Sequence, residues 1–408
     1  MLSLCPLLSY GQYDLRKFYL EGKNQRRVVI PFEMVHNLII IPGFINESDT
    51  LYFILDTGVT SNLLTSVEDS DSLRLKATRK ISLTGLGEGE VLNAIHSYGN
   101  YMRIPGIHAS NHDIIIPEFD LFNLSQSLGR QINGIIGYDI FNSFVVEIRY
   151  SQKRLILYER HHYDRKIRKR RLRRGDVVPI ELISRKPYVQ VYIKDENNEP
   201  FQINLLVDSG ASHALSLFSS TDDRLAVRGK SIRSFLGLGL GGEIHGELSR
   251  LPSLEIGDFG FENLVASYPD SSAIQFALKT ENRHGSIGAD ILKRFNVVFD
   301  YKNREMILRP NRGYKKKFIY NMSGLEITNP IPGLPLYKVA RVRQGSPAYE
   351  AGIVEGDQII SINGNSVSHF ELSNIIEILH SRPGRKIKIS VMRDAYLMRA
   401  NLTLEDNL

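Results

Sequence analysis

LYFILDTGVTSNLLT, residues 51–65, is an apolar run that stops on Asp56, turns through Thr57-Gly58 and continues through further hydroxyls. Residues 201–217 repeat this grammar as FQINLLVDSGASHALSL, with Asp208, Ser209 and Gly210 at the matching places. The repetition runs outward from both stretches. INGIIGYDIFNSFVVEIRYSQKRLILYE (132–159) parallels HGSIGADILKRFNVVFDYKNREMILRP (284–310). Gly134 follows Asp56 by 78 residues, and Gly285 follows Asp208 by 77. Gly85-Leu86-Gly87 begins 29 residues after Asp56, and Gly237-Leu238-Gly239 begins 29 after Asp208. Three matched landmarks at nearly equal spacing predict one lobe built twice, over 27–159 and 176–310. Within each lobe, short Val/Ile/Phe-rich runs are punctuated by Gly, Asn and Asp, which predicts a mostly β class.

One Asp-Ser-Gly is a common β-turn, and alone it would be read as nothing more. Two copies related by duplication bring Asp56 and Asp208 face to face across a pseudo-twofold axis. Gly58 and Gly210 allow the sharp bend and leave N–H groups free for the carboxylates. The hydroxyls of Thr57 and Ser209 can bond across to the opposite loop. Two carboxyls about 3 Å apart cannot both ionise cheaply, so they should share a proton. Such a pair can act as general base and general acid on one substrate.

Ile54-Leu55-Asp56-Thr57-Gly58 and Leu206-Val207-Asp208-Ser209-Gly210 are each followed by a Gly-ended block, Ile135-Ile136-Gly137 and Ser286-Ile287-Gly288. In these residues the chain resembles the aspartic peptidases of the pepsin and retropepsin type, over roughly residues 27–310. The resemblance implies the acid-protease fold, mostly β, with two duplicated retropepsin-like β-barrel lobes. It implies Asp56 and Asp208 as catalytic, Thr57, Gly58, Ser209 and Gly210 as supporting, and an apolar-Gly block behind each Asp. It also implies glycine-rich flaps over the cleft, with Gly85, Leu86 and Gly87 and Gly237, Leu238 and Gly239 as the candidates. Ser286 stands where the family has an apolar residue, Val59 where Ala, Ser or Thr is commoner, and neither flap candidate contains a Tyr. The class of activity implied is an aspartic-type endopeptidase acting on proteins or peptides. The rival from another class is an inactive peptide-binding scaffold, against which the intact triplets in both loops speak.

Composition is ordinary for a globular chain: 42% apolar and 24% charged among 408 residues, enough for several cores. The net charge of +6 is local. Residues 160–174, RHHYDRKIRKRRLRR, carry nine Lys or Arg against one Asp, and the remainder is near neutral. That argues against nucleic acid as a partner. The run, with Gly175, is expected to be a solvated basic linker between the lobes, with a proteolytic nick site or an anionic-surface contact as the alternatives. Cys5 is the only cysteine, so there is no internal disulfide and no cysteine-ligated metal. No H-E-x-x-H or comparable spacing occurs, and no cofactor or metal is implied. His213 has neither a Gly-x-Ser-x-Gly elbow nor a Ser-His-Asp grammar around it. The glycines at 237–242 resemble a nucleotide loop but lack a βαβ unit, and a flap hairpin suits them better.

MLSLCPLLSYG at 1–11 is apolar and ends in small residues. Residues 1–26 are accordingly read as a truncated signal segment and lead-in, with a frayed apolar terminus as the alternative. On that reading the protein is exported to a bacterial periplasm or cell envelope. No stretch has the apolar length of a membrane-spanning helix.

From about residue 318 the texture changes. GSPAYEAGIVEGDQIISING (345–364) runs from a small-residue turn through Gly-Asp into an apolar strand and an Asn-Gly turn. An amphipathic helix over 370–380 and a closing strand over 387–392 follow. This segment resembles a PDZ domain, placed at 318–408. The resemblance implies capture of C-terminal peptide tails, with Ser323, Gly324, Leu325, Glu326 and Ile327 as the carboxylate loop. The bland alternative is a packing appendage. Since both Asp loops lie on one chain, a monomeric catalytic unit is expected.

Overall fold

A computed structural model describes residues 17–65, 73–83, 92–118, 123–173, 175–194, 199–239, 242–280 and 283–408. The proposed signal segment, the first flap candidate (Gly85, Leu86, Gly87) and Arg174 lie outside the described residues. Alternating and wholly apolar runs become strands throughout, and the molecule is mostly β, as expected.

The first lobe closes a six-stranded ring. Its order is Leu38–Ile45, Leu51–Leu55, Gly134–Ile136, Asn62–Leu64, Ile107–Pro117 and Leu92–Ile104, which pairs back to Leu38–Ile45. The second lobe repeats the order with Lys186–Lys194, Pro200–Val207, Gly285–Ile287, Leu215–Leu217, Phe259–Pro269 and Gly242–Ile256. In both rings the strand leading into the Asp runs parallel to the short strand of the Gly-ended block. Buried Ile, Leu, Phe and Val from the two rings form one continuous core. Closure leaves no free sheet edge within either ring.

The lobes are joined by a third sheet of six strands, in which Val145–Arg149 of one repeat pairs with Phe295–Asp300 of the other. The pseudo-twofold axis passes between these two strands. Arg154–Tyr158 and Arg27–Pro31 extend it on one side, and Glu305–Pro310 and Asp176–Pro179 on the other.

The basic run departs from the solvated linker expected of it. It is helical from Arg160–His162 through Arg168–Leu172. Tyr163, Ile167 and Leu172 pack on an apolar face of the joining sheet formed by Val145, Ile156, Tyr158, Val298 and Ile307. Its arginines answer acids set in that sheet. Arg171 donates to Glu147 at 2.7 and 3.0 Å, Arg168 to Glu305 at 2.8 and 2.9 Å, and Arg160 to Asp300 at 3.3 Å. Glu147 and Asp300 are fully buried, so each needs a cation close by. The lead-in also belongs to the first lobe: Phe18 is buried in its core and Tyr19–Leu20 pairs with Ile107-His108.

The C-terminal residues form a five-strand path, Leu325–Thr328, Tyr337–Val342, Gln358–Ile362, Lys386–Arg393 and Tyr396–Thr403, with the helix Leu372–Leu379 packed on it. Ser346 caps a short helix with Pro347 in its first turn, and the Asn363-Gly364 pair makes a turn at positive φ. No helix among the described residues is long and apolar enough to cross a membrane.

Candidate active site

Each Asp is set at the end of its strand by the block beside it. The Asp56 N–H donates to the Ile136 carbonyl at 2.9 Å, and the Asp208 N–H donates to the Ile287 carbonyl at 2.9 Å. Each glycine then turns back on its own acid: Gly58 N–H to the Asp56 carboxylate at 2.6 Å, and Gly210 N–H to that of Asp208 at 3.0 Å. The hydroxyls cross between lobes. Thr57 Oγ1 donates to the Val207 carbonyl at 2.6 Å and accepts from the Ser209 N–H at 2.9 Å. Ser209 Oγ donates to the Leu55 carbonyl at 2.9 Å and accepts from the Thr57 N–H at 3.1 Å. Four hydrogen bonds, two from each lobe, thus lock the loops in mutual register.

The carboxyls meet where the loops meet. A Cβ on Gly210 would lie 2.2 Å from the Asp56 carboxyl carbon, and one on Gly58 would lie 3.1 Å from that of Asp208. Only glycine leaves room at the first position. Burial, and then the facing Asp208 carboxylate, raise Asp56 well above the usual carboxylate range, while the Gly58 N–H opposes the shift. Asp56 therefore keeps its proton to higher pH than a lone carboxyl would. Tyr301, with its hydroxyl buried and unpartnered, stacks on Phe141 at 5.4 Å, and burial and the Asp56 charge push it up too.

His213 is half-buried, desolvation lowers its pKa, and its Nε2 lies 3.1 Å from the Ser286 hydroxyl. The Ser286 hydroxyl thereby serves as a partner for a half-buried imidazole. No cluster of three or more His, Cys, Asp or Glu suited to a metal occurs among the described residues.

The second flap candidate is a hairpin, Ser231–Gly239 with Gly242–Ile256, in which Gly237 lies opposite Ile244 and Leu238 opposite Glu243. The register shifts between Phe235 and Gly237, where Gly237 takes φ 142°. Leu238 packs on the first lobe's apolar cluster of Ile40, Ile54, Leu63 and Ile135. Val59, next after Gly58, packs on the same cluster.

The structure adds two loops that sequence reasoning missed. Hairpin turns at His36-Asn37 and Ser184-Arg185, all four residues at positive φ, reach across to the opposite lobe. Asn37 donates to the Ser212 carbonyl at 2.8 Å and accepts from Lys293 at 2.7 Å. Arg185 lies over the Tyr138 ring at 5.3 Å. The signal was present, because PFEMVHN (31–37) and PIELISR (179–185) share Pro, Glu and an apolar residue at equal spacing.

In the C-terminal domain the 323–327 loop is self-occupied. Asn321 Oδ1 accepts the Gly324 N–H at 3.0 Å, and Ser323 Oγ accepts the Leu325 N–H at 3.2 Å. Glu326 is raised by burial despite the Asn321 amide beside it. A terminal carboxylate could use these N–H groups only if Asn321 and Ser323 released them. The far end of the neighbouring edge strand, Leu325–Thr328, is capped by the first lobe: the Asn329 N–H donates to the Gln126 carbonyl at 2.9 Å, and Leu372 abuts Gly129.

Two rings of identical strand order, each delivering Asp-hydroxyl-Gly to a common axis, define the acid-protease class of fold. Comparison with known families agrees: residues 189–291 match the family described as aspartyl protease, and residues 338–393 match the PDZ domain. The chain thus combines a domain similar to aspartyl proteases with a domain similar to PDZ domains. It is similar to Rho GTPase-activating protein 21 of Mus musculus, at 31% identity over 107 residues, which is 25% of this chain and 5% of that protein. The chain thus spans only a small fraction of that relative's length. Among solved structures it is similar to the photosystem II D1 C-terminal processing protease, at 23% identity and a TM-score of 0.20, over 22% of this chain and 23% of that one.

Proposed function

We propose that the chain is an aspartic-type endopeptidase in which Asp56 and Asp208 together activate water against a peptide bond. The observation that carries this reading is the crossed set of hydrogen bonds through Thr57 and Ser209, which sets the two carboxyls against each other with Gly58 and Gly210 behind them. The ionised carboxyl of the pair takes a proton from water as its oxygen bonds to the scissile carbonyl carbon. The protonated carboxyl donates to the carbonyl oxygen. The tetrahedral intermediate collapses with the C–N bond breaking and a proton passing to the departing amine. An extended polypeptide is the substrate, lying between the lobes over the two Asp loops. The PDZ domain binds a segment of substrate or partner along its edge strand Leu325–Thr328. Capture of C-terminal tails requires the self-occupied loop to open. The catalytic unit is monomeric, since one chain supplies both carboxyls.

The test is incubation of the purified protein with an unfolded protein across pH, beside Asp56→Asn and Asp208→Asn variants. Cleavage by wild type alone is the expected result. Equal cleavage by all three, or by none at any pH, overturns the assignment.

A further inference from the structure

The PDZ domain does not hang free of the second lobe's hairpin. Arg341, on the strand Tyr337–Val342, lies over the Phe235 ring at 4.1 Å and forms an ion pair with Glu243 on the other arm of the hairpin. Glu243 also pairs with His245 at 2.9 Å, and His245 meets the Phe235 ring edge-on at 5.6 Å. One guanidinium therefore grips both hairpin strands a few residues from their tip. Below it, Ile232 and Leu248 pack against the PDZ core, and Arg250 pairs with Asp406 at 2.8 Å. The tip residue Leu238, on the far side, rests on the first lobe's cluster near Asp56.

We propose that Arg341 is a positioning residue for the cleft: through Phe235 and Glu243 it holds the 231–256 hairpin, so that the PDZ domain sets how readily the hairpin closes on substrate. An exposed ion pair alone would do little. Here it is joined to a cation–π contact and an apolar seam, and arginine's flat guanidinium serves stack and pair together, which lysine cannot match. Without the grip, the closed hairpin becomes one of several arrangements. Apparent substrate affinity then falls by the fraction of molecules closed. Such a loss weakens substrate and transition-state binding alike, so it appears in KM and leaves kcat largely unchanged.

This inference rests on the catalytic reading above, and two measurements keep their failures apart. The first is backbone hydrogen exchange in the full-length protein without substrate. Arg341→Ala should speed exchange across 231–247 by roughly 3- to 10-fold, with Arg341→Lys intermediate and the Gly134–Ile136 strand unchanged. The second is peptide cleavage, where Arg341→Ala should raise KM by a similar factor with kcat within about twofold. Unchanged exchange across the hairpin overturns the grip, whether or not the protein cleaves. Faster exchange with KM unmoved overturns its role in the cleft. Absence of cleavage by wild type sinks the catalytic reading and the cleft role with it, and leaves the grip to be decided by exchange alone.

Discussion

Replacing Thr57 by Val keeps the branched shape and removes one hydroxyl. That hydroxyl serves two groups of the opposite lobe, the Val207 carbonyl and the Ser209 N–H. Thr57 is 1% exposed, and Val207 and Ser209 are 0% exposed, so water cannot take over either bond. A buried polar group left without its partner costs about 1–3 kcal/mol. Two such groups put the expected loss at about 2–6 kcal/mol, a large share of the total stability of an ordinary domain. Thr57→Ser keeps the hydroxyl and loses one methyl, for about 1 kcal/mol. Unfolding by urea, followed by tyrosine fluorescence because the chain has no Trp, measures both variants. Ser209→Ala removes the mirror-image pair of bonds. Because the two hydroxyls share one network, the double variant should lose less than the two singles added, by about 0.5–3 kcal/mol. Equal losses in the Val and Ser variants would refute the reasoning, because the hydroxyl would then contribute nothing. Strict additivity would refute the shared network.

The dyad predicts a pH dependence of stability. A carboxyl whose folded pKa is raised holds its proton more tightly when folded, so the chain loses stability as pH climbs from the ordinary 3.8 into the raised range of Asp56. Asp56→Asn should flatten that part of a Tm-against-pH curve, and an unchanged slope would show that Asp56 titrates normally. Asn321→Ala frees the Gly324 N–H now held at 3.0 Å. It should tighten binding of a fluorescent peptide with a free C-terminus by roughly 3- to 10-fold, and no gain, or equal binding of the amidated peptide, counts against carboxylate capture in this loop. Arg171→Met leaves Glu147 buried with Arg149 and Tyr158 but without its closest cation. Burial alone would raise Glu147, and these partners outweigh it to hold the acid below its usual range. The substitution should cost about 1–3 kcal/mol and speed tryptic cleavage within the 160–173 segment relative to wild type; equal digestion of the two proteins would show the helix is not held by this pair.

How much of this was legible in the sequence depended on where each feature draws its cause. Asp56 and Asp208 could be read because the chemistry fixes their neighbours locally: a hydroxyl next, a glycine after it, and an apolar-Gly block at a repeated distance. The duplicated spacing marked one lobe built twice, whereas the closed barrel of each lobe was implied only by the family resemblance. The second hairpin was legible as a hairpin from its glycines. The fate of 160–173 was not legible from its charge, because a run of arginines looks the same whether water or carboxylates face it. What decides is Glu147 in VVEIRY and Asp300 in VVFDYK, single acids inside apolar strands. A strand buried on both faces cannot carry an acid unpaired, so each of them demanded a cation from elsewhere in the chain. The densest supply in the chain was the basic run. Arg341 belongs to the same class of hidden feature, since its partners Phe235 and Glu243 lie about a hundred residues away and on another domain. Nothing local marks it, and only the docking of the PDZ domain on the hairpin gives that one half-buried arginine a role that its neighbours on the strand do not share.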